Sequence, residues 1–552
     1  MLLEELISGV LHDAHRRDLP LRLSVLDPFD DWKLIRVCDI TEDSRTVLPG
    51  SLFVARGGAK ADGRTFAAAA VRAGAEVILC DEGSKLELAA DAKAARRKVV
   101  VVEASDVALA AAMLAELFYG RPSGKLKLFG VTGTNGKTTT TWLAWRLLNL
   151  AGLRAGLVGT VMIDDGIELA PAEMTTPPAI ELSRTLSVMV EAGCKAAFME
   201  VSSHSLIQHR VGGLRFAGAA FTNLTQDHLD YHKTMENYAD AKALLFRHLP
   251  DEAPAFINID SDWHDRITRD CHAQILRCSA ADADATVRIT HMHRDGMRLQ
   301  LRGPWGEIDT LVPLIGAFNA MNVLQAVGAA HACGLSRDQI ADGCARLDAP
   351  PGRLERVATS NTEPLVLVDY AHTDDGLRNA LSTVRSVRSD NGRLIVVFGC
   401  GGDRDKTKRP KMGAVAAELA DLLVVTSDNP RTERPGDIID AILSGIPADK
   451  RPNVSVQADR RRAIEFAIHA ATARDIVLIA GKGHETEQIL PDGHGGVIRH
   501  HFDDREVARD VIAALRDTRT PPVAVSAASN HAASNHAAPN PAAPNQAARS
   551  ET

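Results

Sequence analysis

No apolar run in these 552 residues approaches the roughly 20 needed to cross a bilayer, so no membrane span is expected. The opening stretch MLLEELISGVLHDAHRR lacks a basic region ahead of its apolar residues and carries acids among its leucines, which argues against a secretion signal. A basic excess is also missing. The 63 Lys and Arg face 71 Asp and Glu, for a net charge of −8, so a general nucleic-acid binder is excluded. The eight cysteines (Cys38, Cys80, Cys194, Cys271, Cys278, Cys333, Cys344 and Cys400) form no CxxC pair. That removes the usual zinc and disulfide frames and fits a reducing, cytoplasmic compartment. What is present is 45% hydrophobic sequence, enough for more than one core, and the length predicts about three domains.

The composition changes near Thr520. From there AASNHAASNHAAPNPAAPNQAA offers no large apolar side chain after Val525, so 520–552 reads as a disordered Ala/Asn/Pro-rich tail with solvated His531 and His536. Ahead of it, short apolar runs alternate with helical patterns in two series. LKLFGVTG, KAAFME, GAAFTNLT and PAFINID make the first. LVLVDYA, RLIVVFGCGG, DLLVVTSDN, VSVQAD and DIVLIAGKG, each expected to lead into a helix, make the second. Such alternation predicts βαβ units and parallel sheets. Pro350, Pro351 and Gly352 mark a hinge between the series, and YGRPSGK closes a smaller unit in front of them. The expected units are 1–122, 123–349 and 350–519, followed by the tail; residues 1–40 show only weak patterns.

The most informative segment is FGVTGTNGKTTTTWLAWRLL, an apolar strand, a Gly-rich turn and a helix opening at Lys137. Gly133, Thr134, Asn135 and Gly136 can aim backbone N–H groups and a helix N-terminus at a polyphosphate. Lys137 would neutralise the outer phosphates, the hydroxyl of Thr138 would ligate Mg2+, and Thr139 continues the turn. The spacing departs from GxxxxGK[ST], because Val131 stands where the first glycine is required. A phosphate loop alone does not separate a ligase from a kinase, a motor or a regulatory switch.

GTNGKT at 133–138 resembles the form typical of the Mur ligase family, the ATP-dependent amide-bond-forming enzymes of peptidoglycan precursor synthesis. Further segments similar to that family follow in order. They are DSR (43–45), PGSLFVARGG (49–58), TTP (175–177), EVSSHSL (200–206), NLTQDHLDYH (223–232), YADAK (238–242), GAFNAMN (316–322), PGRLE (351–355), VDYAHT (368–373), GCGGDRDKTKRP (399–410), DNPR (428–431) and GKGHE (481–485). The resemblance implies a three-domain α/β architecture. A small N-terminal α/β domain would bind UDP, a central P-loop ATPase-type parallel sheet would bind ATP, and a C-terminal Rossmann-like α/β domain would bind the amino acid.

It also implies a reaction. A cytoplasmic, monomeric ligase would use ATP and Mg2+ to convert the D-Glu γ-carboxyl of UDP-N-acetylmuramoyl-L-Ala-D-Glu into an acyl phosphate, which the amine of meso-diaminopimelate then attacks. An L-lysine-adding member or a folylpolyglutamate synthase-like ligase is the alternative within that chemistry, and a P-loop regulatory NTPase is the alternative outside it.

By the same resemblance Lys137, Glu200, His228 and Lys242 are catalytic, and Thr138, Glu200, His228 and Lys242 hold metal. Lys242 reads by composition as a solvated helix lysine. YADAK nevertheless aligns with a lysine that takes up CO2 to become N6-carboxylysine, an anionic oxygen ligand. Asn319, Arg353 and Asp369 would join residues 133–139 around ATP, with His372 a packing or phosphate neighbour. Ser44, Thr175, Thr176, Ser202, Gln208 and Arg210 would receive the nucleotide-linked dipeptide. Arg404, Asp428, Asn429, Pro430, Arg431, Gly481 and Glu485 would receive meso-diaminopimelate. That acceptor is lysine with an added distal carboxylate, which a bidentate arginine such as Arg431 suits.

Overall fold

In the strand Lys127–Thr132 every residue after the first is buried, and in Ala196–Glu200 all are. Unbroken burial of this kind belongs to parallel strands covered on both faces. The structure, a computed structural model, describes residues 1–26, 28–58, 62–84, 86, 88, 98–358 and 362–519. The tail read into 520–552 lies outside the described residues.

The central sheet is 11-stranded. Its parallel heart runs in the spatial order Gln274–Ser279, Pro254–Asn258, Gly218–Phe221, Lys127–Thr132, Ala196–Glu200 and Ala155–Val158. Successive side chains leave a strand on opposite faces. Phe129 thus packs with Leu143, Leu147, Val323 and Val327 of the helices Lys137–Leu150 and Phe318–Ala332. Leu128 packs oppositely with Leu182, Leu186, Leu245 and Phe246 of the helices Ala179–Glu191 and Met235–Arg247. Each leucine buried there stabilises the layer by ~1.5–3 kcal/mol. The consequence for function is that the loops after Thr132, Val158, Glu200 and Phe221 all emerge at the carboxyl edge, where ligands bind in α/β sheets.

A six-stranded sheet follows, with Leu365–Asp369, Ile476–Ala480, Leu394–Phe398, Leu422–Val425 and Val454–Val456 parallel and Glu355–Ala358 antiparallel at one edge. The N-terminal sheet has five strands, ordered Leu23–Leu26, Val100–Ala104, Val77–Asp81, Ser51–Ala55 and Asp39–Thr41, the first antiparallel and the rest parallel.

The structure adds to or corrects the sequence expectations at several places. Residues 1–40 hold the helix Leu3–Arg16, which buries Leu3, Leu6, Ile7, Val10 and Ala14 on one face. The central sheet carries an antiparallel meander, Ala285–His293, Gly296–Gly303 and Gly306–Val312, that the βαβ reading did not contain. DIVLIAGKG does not lead directly into a helix. A hairpin of Glu487–Pro491 with Val497–His501 intervenes before the helix Asp504–Arg519, turned by Gly493 and Gly495 at positive φ. All eight cysteines are free, and among the described residues no helix is long and apolar enough to cross a membrane.

Candidate functional site

The phosphate loop is braced against the neighbouring strand end. Thr222 Oγ1 donates to the Asn135 carbonyl at 2.6 Å, and the Thr134 and Asn135 amides donate to Asn223 at 2.8 and 3.0 Å. The approach is so close that a Cβ on Gly133, where φ is +150°, would fall 1.9 Å from Thr222 Oγ1, and one on Gly136 2.5 Å from Asn322 Oδ1. The first-turn amides of the helix Lys137–Leu150 have no intrahelical acceptors, and Lys137, Thr138 and Thr139 line the cleft. Gly133→Ala is therefore expected to weaken ATP binding at least about tenfold by displacing the loop, measured by nucleotide titration. Undiminished binding would show that the close packing is dispensable.

Thr138 and Glu200 meet in this cleft. The Thr138 hydroxyl donates to Glu200 Oε2 at 3.0 Å. Glu200, 1% exposed, also accepts from the Thr160 amide at 2.6 Å and the Thr160 hydroxyl at 3.1 Å. The two oxygens fit a divalent cation, since octahedral Mg2+ with bonds of ~2.1 Å would set adjacent ligands ~3.0 Å apart. Thr160 was not singled out from the sequence. Its position just past the strand Ala155–Val158, at the same carboxyl edge, is the signal that could have found it.

His228 and Lys242 form a separate group on the other side of the loop. Lys242 is 1% exposed, a correction to its reading as a solvated lysine. Its Nζ donates to the Gly133 carbonyl at 2.8 Å and lies 4.4 Å from the Tyr238 ring centroid. Lys137 Nζ uses the same carbonyl, at 3.0 Å. Burial first, then the Lys137 charge, hold the Lys242 amine well below the usual lysine range. His228 sits at φ +52° with its ring against His204 and Nε2 3.5 Å from Asp227. Burial, His204 and Lys242 push the neighbouring His232 down to about 4. The structure thus brings Thr138 to Glu200 but not His228 or Lys242 to that pair. Among the described residues no three His, Cys, Asp or Glu side chains converge on one metal position.

The loop opens into a cleft of about 660 Å³ between the central and C-terminal sheets, lined also by Asn319, Arg353, Asp369 and the helix face bearing Asn379, Ser382 and Thr383. That helix face is a further lining the sequence reading missed. Asn319 is buried, donating to the Ile315 carbonyl at 2.8 Å and accepting from Asn322 at 2.9 Å. Asp369 accepts the Leu354 and Ala371 amides at 2.7 and 2.9 Å, and burial raises its pKa against the lowering pull of Arg353. Arg353 lies over the Tyr370 ring, its Nε without a partner among the described residues. His372 bonds the Tyr370 carbonyl, in keeping with a packing role.

Of the residues assigned to the dipeptide, Thr175 lines the cleft 3.0 Å from Thr160 Oγ1, and Thr176 is buried, donating to the Glu200 carbonyl at 2.8 Å. Ser202 caps the short helix Ser203–Ile207. Gln208 accepts from Arg210 at 2.8 Å, and Arg210 donates to the Thr176 carbonyl at 2.8 Å. Burial and the nearby Arg56 lower the Arg210 pKa, while Glu42 opposes them. The half-buried Ser44 belongs to the same N-terminal segment as Glu42.

The remaining assigned residues cluster at the carboxyl edge of the C-terminal sheet. Asn429 donates to Glu485 Oε2 at 2.8 Å, and Arg431, at φ +53°, donates to the Gly402 carbonyl at 2.8 Å. Arg431 and the exposed Arg404 flank Gly401, whose added Cβ would lie 3.0 Å from Arg431 Nη1 and 3.8 Å from Arg404 Cγ. Asp428, Asn429 and Pro430 are buried beneath them. Gly481 takes φ +117°, where a Cβ would meet Asp428 Oδ2 at 2.5 Å.

A braced phosphate loop, a hydroxyl–carboxylate pair and a second sheet closing over them define a nucleotide-driven group-transfer enzyme, and the chain belongs to the Mur ligase family. Family models described as "Mur ligase family, catalytic domain", "Mur ligase middle domain" and "Mur ligase, glutamate ligase domain" match residues 37–119, 131–330 and 352–483. The chain is 47% identical over 484 residues to the UDP-N-acetylmuramoyl-L-alanyl-D-glutamate--2,6-diaminopimelate ligase of Gloeobacter violaceus, covering 87% of this chain and 95% of that one. The ligase of the same name from Chlorobaculum tepidum is 42% identical over 489 residues, covering 87% and 93%. A solved structure of such a ligase matches with a TM-score of 0.66 at 33% identity, covering 89% of this chain and 97% of its own. The chain is accordingly an ATP-dependent amide-bond-forming ligase with the three-domain architecture of that family.

Proposed function

We propose that this ligase joins meso-2,6-diaminopimelate to the D-Glu γ-carboxyl of UDP-N-acetylmuramoyl-L-Ala-D-Glu, acting as a cytoplasmic monomer. The observation that carries the choice of acceptor is the pairing of Arg431 and Arg404 about Gly401, beside the Asn429–Glu485 hydrogen bond. A distal carboxylate meets cations there, and an amine meets a carboxylate.

The chain's own residues supply each step. The loop amides and Lys137 hold the β- and γ-phosphates, and Arg353 faces them from the C-terminal sheet. Arg210 and the Thr175 hydroxyl orient the dipeptide so that its γ-carboxylate oxygen attacks the γ-phosphorus and ADP departs. The acceptor amine, held by the loops of the C-terminal sheet, then attacks the acyl carbon, and orthophosphate leaves with one former carboxyl oxygen. Mg2+, bound by Thr138 and Glu200, would supply neutralisation of the phosphoryl charge. Lys242 as its carbamate would place an anion beside Lys137, and His228 shares the Tyr238 ring with it.

The test is phosphate release in the presence of ATP, the nucleotide-linked dipeptide, and either meso-diaminopimelate or L-lysine. Release that needs both the dipeptide and meso-diaminopimelate is expected. Equal rates with lysine would overturn the acceptor assignment, and release without the dipeptide would favour a regulatory NTPase. Arg431→Ala is expected to raise KM for meso-diaminopimelate about 100-fold, the equivalent of ~3 kcal/mol for a charge-assisted contact, with KM for ATP unchanged. An unchanged KM for the acceptor would remove Arg431 from its recognition.

A further inference from the structure

Lys482 stands inside GKGHE, between two residues assigned to the acceptor, and the proposed chemistry gives it no part. Its side chain is 0% exposed. Gly481 at φ +117° and Gly483 at φ +56° let the chain fold tightly on either side, and a Cβ on the second would meet Tyr370 Cβ at 2.6 Å. The ammonium is thereby turned inward, beneath the acceptor loops.

Its three N–H donors have three acceptors there: Asn429 Oδ1 at 3.1 Å, Glu485 Oε2 at 3.4 Å and the Glu487 carbonyl. Asn429 Oδ1 also accepts the Ile489 amide at 3.0 Å. With two N–H donors on that oxygen, the amide has one orientation, and its Nδ2 is aimed at Glu485 Oε2, 2.8 Å away. Glu485 Oε2 thus has both Asn429 and Lys482 as donors. The Glu485 side chain remains 36% exposed, which leaves the carboxylate open to a ligand.

We propose that Lys482 is a positioning residue for acceptor recognition, orienting the Asn429 amide and the Glu485 carboxylate so that Glu485 meets the ammonium of the incoming amino acid in a single geometry. The proposal rests on the acceptor assignment above. Without the lysine, the Ile489 amide alone orients Asn429, and Glu485 loses its charged donor.

The experiment compares wild-type enzyme with Lys482→Met, which keeps an unbranched side chain one atom shorter and removes the charge, by steady-state kinetics in each substrate. The expected result is a rise of about tenfold or more in KM for meso-diaminopimelate, with KM for ATP and for the dipeptide unchanged and kcat at saturating acceptor largely retained. The double variant with Glu485→Gln should add little further, because both changes disable one unit. An unchanged acceptor KM in a folded Lys482→Met enzyme, or fully additive effects in the double variant, overturns the proposal. Should Lys482→Met lose its cooperative melting transition, Lys482→Gln decides, since it keeps a polar group in the buried position and removes the charge from Glu485. The same selective rise is expected from it, and an unchanged acceptor KM overturns the proposal. Failure of the acceptor assignment looks different: the wild-type enzyme would then use L-lysine as fast as meso-diaminopimelate.

Discussion

Glu200→Gln is expected to lower kcat about a thousandfold while leaving the melting temperature close to that of the parent enzyme. The side chain is 1% exposed and tied to Thr138 at 3.0 Å and to the Thr160 amide at 2.6 Å. A carboxamide is nearly isosteric, so the fold survives, but it carries no charge to set against a cation and presents donors on one side. In either orientation the amide nitrogen meets a donor: the Thr160 amide on one side, or the two hydroxyls on the other while they keep their present direction. The check is single-turnover phosphate release beside a thermal melt. Activity within about tenfold of the parent would show that Glu200 only positions Thr138 and Thr160.

The second large effect concerns Lys242. Lys242→Ala is expected to reduce turnover by about a thousandfold, although the residue lies apart from the Thr138–Glu200 pair. Two amines share the Gly133 carbonyl, at 2.8 Å from Lys242 and 3.0 Å from Lys137. Burial and the Lys137 charge keep the Lys242 amine well below its ordinary range, which raises its neutral fraction. A neutral amine is the form that reacts with CO2, releasing a proton as the carbamate forms. The sign follows. Carbamate is favoured as pH rises through the lowered pKa and is lost as pH falls below it, so activity should recover with added bicarbonate most clearly on the acid side. Carbon-labelled bicarbonate should give a carbamate carbonyl signal that disappears in Lys242→Ala. A fully active Lys242→Ala enzyme would refute the role.

Much of the fold was legible because its strands are unbroken apolar runs ended by glycine or polar turns. KLFGVT before GTNGK and LIVVF before GCGG are read from that contrast alone. The helix Leu3–Arg16 was not read, although Leu3, Leu6, Ile7, Val10 and Ala14 recur at helical spacing and its one-sided stripe was legible. Lys242 was misread by composition, because a lysine counts as polar wherever it points. Its neighbours carried the correction. Tyr238, Ala241 and Leu245 are buried on the same helix, and spacings of three and four residues place Lys242 beside Tyr238 and Leu245. Thr160 had no motif to announce it, and Lys482, though inside GKGHE, had no role assigned to it there. They matter through what they hold in place, Glu200 in one case and Asn429 in the other, and such a role depends on contacts distant in sequence.

The whole account depends on the dipeptide's γ-carboxyl being phosphorylated before the amine arrives. Heavy oxygen placed in that carboxyl group tests it directly, by mass spectrometry of the orthophosphate released during turnover with meso-diaminopimelate. The account requires one labelled oxygen in each orthophosphate formed. Orthophosphate that carries none, while the amide product accumulates, would contradict it.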